Sequence, residues 1–228
     1  MDFNIFEQNI GVAFKNKELL KQAFIHRSYL NENRSLKLEH NERLEFLGDA
    51  VLELVVTDYL YRKYPEKNEG ELTAFRSALV NSVTLAGVAE KIGMNTFLLL
   101  SKGEAKDTGR ARQVILANTF EALIGSLYLD QGYDVAQSFI AQQLFGLIDD
   151  IVEKRTFIDA KSRFQEEAQE KVGTTPAYKL IKETGPDHNK VFTVGVYLKD
   201  ELVVTGEGKS KQEAEQHAAE KALQQKGW

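Results

Sequence analysis

Residues 41–52 read Asn41-Glu42-Arg43-Leu44-Glu45-Phe46-Leu47-Gly48-Asp49-Ala50-Val51-Leu52. Three acids recur at i, i+3 and i+7. On a helix of about 3.6 residues per turn, 42 and 49 differ by only about 20° of rotation and 45 lies about 60° from 42. All three share one face. A solvated acidic stripe would show the same spacing, but Leu44, Phe46, Leu47, Ala50, Val51 and Leu52 surround the acids and leave little circumference for water. Gly48 costs about 1 kcal/mol against Ala inside a helix, which marks a place where another backbone or a ligand comes close. Carboxylates crowded in such surroundings repel and take up protons unless a cation neutralises them.

Outward from this stretch, the first 150 residues read as helix after helix. Glu39 to Tyr64 carries Leu44, Leu47, Val51, Leu54, Val55, Tyr59 and Leu60 at helical spacing, and Pro65 stops it. Lys17 to Leu30, Glu71 to Ile92, Ala111 to Leu129 and Val135 to Val152 repeat the pattern, with a loop over Ser101 to Arg110. In Ala111 to Leu129, Asn118 and Glu121 are i, i+3 neighbours among Ile115, Leu116, Phe120, Leu123 and Ile124. Oxygen donors without paired histidines suit a hard ion, Mg²⁺ or Mn²⁺, rather than zinc. Two such helices facing one another would form a metal-binding carboxylate cluster.

After about Glu153 the pattern changes to α-β-β-β-α. A helix over Ala160 to Val172 is followed by strand-like runs at Ala177 to Glu183, Val191 to Lys199 and Glu201 to Gly206, then by a helix over Ser210 to Gln225. In the middle run Phe192, Val194, Val196 and Leu198 alternate with Thr193, Gly195, Tyr197 and Lys199, as in a sheet with one buried face. Lys199-Asp200-Glu201 marks a tight hairpin. The expected architecture is an all-α domain at 1–151, a linker at 152–158, and a small α+β domain at 159–228. That second domain would be a three-stranded antiparallel sheet with two helices on one face.

Composition bounds what such a chain does. Of 228 residues, 43% are hydrophobic and 28% charged, which places the chain among folded globular proteins. It has no cysteine, which excludes disulfide scaffolds, thiolate metal sites and thiol nucleophiles and fits a reducing compartment. No export signal and no apolar run long enough to span a membrane is read, so a cytoplasmic protein without a membrane partner is expected. The net charge of −5 argues against a nucleic-acid partner until it is divided. Residues 1–150 hold 16 Lys+Arg against 21 Asp+Glu, and residues 151–228 hold 13 of each, so the acidic surplus lies wholly in the first part.

At Asn41 to Leu52, Ser101 to Arg112, Ile115 to Asp130 and throughout the second domain, the sequence resembles bacterial ribonuclease III, the double-strand-specific RNA endonucleases. The resemblance covers nearly the whole chain. It implies an all-helical endonuclease domain that forms a homodimer and carries one Mg²⁺-dependent site per subunit, with Mn²⁺ as a possible substitute. It implies hydrolysis to 5′-phosphate and 3′-hydroxyl ends, and processing of structured transcripts that include ribosomal RNA precursors. Onto matching positions it carries Glu45, Asp49 and Glu121 as catalytic metal ligands or their immediate support, with Glu42 and Glu69 as further acids. Glu69 also fits a carboxylate that simply favours a helix N-terminus.

Position 118, where that family usually has aspartate, is Asn118. An amide oxygen still ligates but brings no negative charge, so the site should hold a divalent ion less tightly. Three readings stay open: a natural variant that keeps activity, a substitution that disables cleavage, or a duplex-RNA binder that does not cut. A structural ribosome-associated protein is a weaker rival.

The second domain resembles a double-stranded RNA-binding domain. By that resemblance Gln165 and Glu166 on its first helix, and His188 in the Gly185 to Lys190 loop, would touch 2′-hydroxyls and base edges in successive minor grooves. Lys209, Ser210 and Lys211 at the last helix start would hold phosphates across the intervening groove. Gln212 stands where the family commonly has a basic residue. A local basic cluster answers the charge objection. Arg110 and Arg112 are expected to hold the RNA backbone near the cutting site, while Lys102 and Lys106 read as loop charges. No Ser-His-Asp arrangement competes, because His26, His40, His188 and His217 are scattered. Gly208-Lys209-Ser210 is no P-loop, since Val203 stands where that motif needs glycine, and no nucleotide cofactor is expected.

Overall fold

The computed structural model describes residues 2–153, 160–186 and 190–228. Most of the expected linker, from 154 onward, and His188 lie outside the described residues. The chain divides into two compact units, Met1–Phe157 and Ile158–Trp228.

The first unit is helical: α1 (Phe3–Ile10), α2 (Lys17–Ala23), α3 (Arg27–Glu32), α4 (Glu42–Lys63), α5 (Glu69–Val80), α6 (Ser82–Lys91), α7 (Arg110–Gln131), α8 (Tyr133–Leu144) and α9 (Ile148–Glu153). Short 3₁₀ turns lie at Met94–Phe97, Glu104–Lys106 and Phe145–Leu147. Three long periodic runs are thus divided. Lys17 to Leu30 breaks because Ile25 leaves the helix to bridge Leu99, with His26 N–H donating to the Leu99 carbonyl and Leu99 N–H to the Phe24 carbonyl. Glu71 to Ile92 breaks at Asn81, whose side chain accepts from Thr84 N–H and starts α6. Val135 to Val152 breaks at the Phe145–Leu147 turn.

Helices α4 and α7 form the centre. Leu52, Val55 and Val56 from α4 are buried with Leu116, Phe120, Leu123 and Ile124 from α7. Two glycines let these backbones touch. A Cβ on Gly48 would lie 1.8 Å from the Glu121 carbonyl oxygen, and one on Gly125 would lie 2.1 Å from that of Leu44. The cost of Gly48 within a helix is therefore offset by the close backbone approach that it permits.

The second unit runs α10 (Ala160–Val172), β1 (Ala177–Thr184), β2 (Val191–Leu198), β3 (Glu201–Gly208) and α11 (Lys211–Lys226). The sheet is antiparallel in the order β1-β2-β3. Leu198 pairs with Glu201, so Lys199 and Asp200 make a two-residue hairpin, with Lys199 at φ 57°. Val194 and Val196 are buried, and Val196 packs into a core made with Phe164 and with Ala218, Ala219 and Ala222 of α11. Small residues are needed on that helix because Gly206 of β3 lies directly beneath it. A Cβ there would stand 2.2 Å from Ala218 N.

Candidate active site and duplex-binding surface

The crossing of α4 and α7 brings carboxylates from separate segments face to face. Glu45 is pushed above the usual carboxylate range first by burial and then by the charge of Glu42. An Asn118 side-chain hydrogen bond opposes the rise and Asp49 adds to it. Glu121 is raised to about 7, chiefly by burial and then by the charges of Asp49, Glu45 and Glu53. Glu42, Glu45, Asp49, Asn118 and Glu121 thus form one electrostatic cluster. Glu42 is further engaged by Arg27 at 3.6 Å and by His40 Nδ1 at 3.7 Å.

Asn41, 2% exposed, anchors the acidic end of α4. Its Nδ2 donates to the Ala23 carbonyl at 3.0 Å and its backbone N–H to the Ile25 carbonyl at 2.9 Å. The same α2–α3 break that interrupts the periodic run therefore sets where the acids begin.

Glu69 stands elsewhere within the chain. It opens α5 and lines a hollow of about 430 Å³ with Thr57, Tyr61 and Arg76. Thr57 lies eight residues beyond Asp49, roughly 12 Å along α4. Sequence reasoning passes over Glu53, which continues the 45, 49 stripe by a further four residues and pairs with Arg76 at 2.9 Å. That spacing is a usable signal.

The two arginines proposed for RNA differ. Arg110 is the exposed first residue of α7. Arg112 is committed to its own chain, with Nε donating to the Asp107 carbonyl (3.2 Å), Nη1 to Asn95 Oδ1 (3.1 Å) and Nη2 to the Glu104 carbonyl (2.8 Å). In the second unit, Gln165 and Glu166 line an open cleft on α10 with Ser162, Gln169 and Glu170. Ser210 caps α11 by accepting from Glu213 N–H, and Glu213 in turn accepts from Lys209 N–H. Lys211 sits 3.7 Å from Glu183 and over the Phe192 ring.

The donor set is all oxygen, and burial together with the neighbouring charges of Asp49, Glu45 and Glu53 raises Glu121 to about 7, a cost of ionisation that a cation relieves, so these residues suit a hard divalent ion. Among the described residues, no three acids or histidines already enclose an ion-sized point. The acids face one another without yet converging.

A helical unit with this cluster, joined to an α-β-β-β-α unit, defines a nuclease-type domain coupled to a duplex-binding module. Residues 16–148 match the family model described as Ribonuclease-III-like, and residues 160–226 match the double-stranded RNA binding motif. The chain belongs to the ribonuclease III family. It is 48% identical over 219 residues to Ribonuclease 3 of Pelotomaculum thermopropionicum, covering 96% of this chain and 91% of that protein. It is also 48% identical over 217 residues to the Enterococcus faecalis Ribonuclease 3, covering 95% and 94% respectively. The solved nuclease domain of the Campylobacter jejuni enzyme, described for flexibility in a region involved in dimer formation, is 37% identical with a TM-score of 0.56, covering 62% of this chain and 98% of that one. Membership of this family implies a divalent metal cofactor.

Proposed function

We propose that this chain is a cytoplasmic endoribonuclease that hydrolyses phosphodiester bonds in double-stranded RNA with Mg²⁺, or Mn²⁺ in its place, leaving 5′-phosphate and 3′-hydroxyl ends. Its substrates would be structured precursor transcripts, ribosomal RNA precursors among them. The observation that carries this reading is the glycine-mediated crossing that sets Glu45 and Asp49 of α4 against Asn118 and Glu121 of α7.

Glu45, Asp49, Glu121 and the Asn118 amide oxygen would hold the ion, with Glu42 beside them and Glu69 apart from them in the hollow at the start of α5. When bound, a divalent ion activates water and stabilises the attacking and leaving oxygens of an in-line displacement. Glu45 and Glu121 are half-buried while Asp49 and Glu42 are exposed, so the cluster has one side held by the helix crossing and one side open to a cation and substrate. Arg110 would hold the RNA backbone near the cut. Gln165, Glu166 and His188 would read minor grooves, and Lys209, Ser210 and Lys211 would hold phosphates.

Homodimerisation is supported by Phe46, which is 82% exposed although it lies on the central helix. Phe46 lines a hollow of about 650 Å³ together with Leu19, Leu47 and Leu129 and with the polar Glu39, His40 and Arg43. An exposed aromatic side chain at the edge of a hollow with both apolar and charged walls suits a two-fold interface.

A second reading, a duplex binder with impaired cutting, is favoured by the Asn118 amide, which stabilises ionised Glu45 without any cation. A labelled RNA duplex incubated with Mg²⁺, for the native chain and for Asn118→Asp, tests both. Cleavage by the native chain supports the nuclease reading. Cleavage by Asn118→Asp alone supports the binder, and cutting that persists in EDTA overturns the metal-dependent site.

A further inference from the structure

Lys102 and Lys106 lie between the Leu99 bridge and α7, whose first residue is Arg110, and among the described residues no ion pair takes any of the three. Their availability contrasts with Arg112, whose guanidinium is spent on the same segment. The backbone they sit on is held at both ends. Arg112 grips the Glu104 and Asp107 carbonyls. At the other end Ser101 N–H donates to Ser28 Oγ at 3.0 Å, and Lys102 N–H donates to the Glu32 carboxylate at 3.1 Å.

Ser28 is itself oriented. Its backbone N–H donates to His26 Nδ1 at 3.3 Å, and its Oγ stands 2.8 Å from the same nitrogen. Because Oγ accepts from Ser101, its own proton is free to go to Nδ1, which leaves the imidazole proton on Nε2. Burial lowers the His26 pKa and keeps that nitrogen an acceptor. The next residue, Arg27, reaches back to Glu42 of the acidic cluster.

We propose that Ser28, aimed by His26 and assisted by Glu32, is a positioning residue that holds the 101–107 loop at a fixed distance from the acids of α4, so that Lys102, Lys106 and Arg110 are presented to duplex RNA already ordered. Preorganisation lowers the entropy lost on binding. The loop clamp therefore acts on substrate affinity rather than on the bond-breaking step. Its cleavage arm rests on the nuclease reading above, while its exchange and binding arms do not.

The test uses the full chain with Ser28→Ala, Ser28→Thr and the exposed-site variant Glu32→Ala. Hydrogen exchange is followed at the Ser101 and Lys102 amides, with and without a blunt RNA duplex, beside duplex affinity and Mg²⁺-supported cleavage. For Ser28→Ala, exchange at Ser101 quickens about 5- to 10-fold, the factor one net hydrogen bond commands, while core amides of α4 and α7 are unchanged. Duplex affinity falls by a similar factor, KM rises with kcat nearly constant, and Ser28→Thr restores all three. Glu32→Ala gives the same pattern at Lys102. Unchanged exchange in the loop overturns the clamp. Faster exchange with undiminished duplex affinity, or a fall in kcat at constant KM, overturns the positioning role. A native chain that binds duplex but never cuts it counts against the nuclease reading and leaves the exchange and affinity results to judge the clamp.

Discussion

Replacing Gly48 with alanine tests whether backbone contact between α4 and α7 holds the site together. The new Cβ falls 1.8 Å from the Glu121 carbonyl oxygen and 2.8 Å from Gly125 N, where real Cβ contacts below 3.0 Å are essentially never found. The obstacle is backbone, so α7 must retreat by at least 1.2 Å, the difference between 3.0 and 1.8 Å. Overpacking of this kind costs about 3 kcal/mol or more, and the gain in helix propensity returns about 1 kcal/mol. A net loss of about 2 kcal/mol or more lowers the melting midpoint of a unit this size by roughly 4–8 °C. Gly87 of α6 is the matched control, because a Cβ there meets nothing within 4 Å. Gly87→Ala should gain about 1 kcal/mol from propensity alone. A displacement of about 1 Å between Glu45/Asp49 and Asn118/Glu121 should also cost about 100-fold in cleavage rate. The assay is thermal unfolding of both variants by circular dichroism, with single-turnover cleavage alongside. A Gly48→Ala protein as stable and as active as the Gly87→Ala control would refute the close-crossing account.

Four further outcomes are expected. In the metal-free chain, folding raises the Glu121 pKa from the ordinary carboxylate range to about 7, so the folded state binds more protons between those values and stability falls as pH rises through that window. Glu121→Gln should therefore match the native unfolding free energy near pH 4 and exceed it above pH 7 by about 1–2 kcal/mol after solvent screening; equal unfolding free energies at pH 8 in EDTA would contradict this. Phe46→Ala should shift the sedimentation equilibrium toward monomer, because a large aromatic side chain left 82% exposed is placed to anchor a partner. Lys211→Ala should weaken duplex binding across sequences and reduce the salt slope by about 1. Gly206→Ala should unfold the second unit at lower urea concentration, since its Cβ would press on the α11 backbone, as titration followed at Trp228 fluorescence would show.

Legibility in the amino-acid sequence differs from element to element. The carboxylate face of α4 is readable because helical geometry alone puts 42, 45 and 49 on one side, and Gly48 announces the approach of a second backbone. The second unit is readable because the β2 alternation and the Lys199-Asp200 turn are local signals. The break between α2 and α3 is hidden, because it depends on Ile25 pairing with Leu99, a contact that no window of periodicity contains. Asn81 is a local cap that the longer apolar run obscures. Helix α1 escapes the reading although Asp2 caps it and Gly11 ends it at φ 69°. The basic character of Arg112 suggests RNA, whereas its donors hold the loop together, and charge in a sequence does not reveal which carbonyls lie within reach.

The claim on which the account stands is that acids from α4 and α7 act together on one divalent ion. Calorimetric titration of Mn²⁺ into the full chain, beside Asp49→Asn and Glu121→Gln, measures this without any RNA. Mn²⁺ should bind the native chain, each substitution should weaken that binding at least tenfold, and the double variant should be little worse than either single one. Undiminished Mn²⁺ affinity in both variants would contradict it.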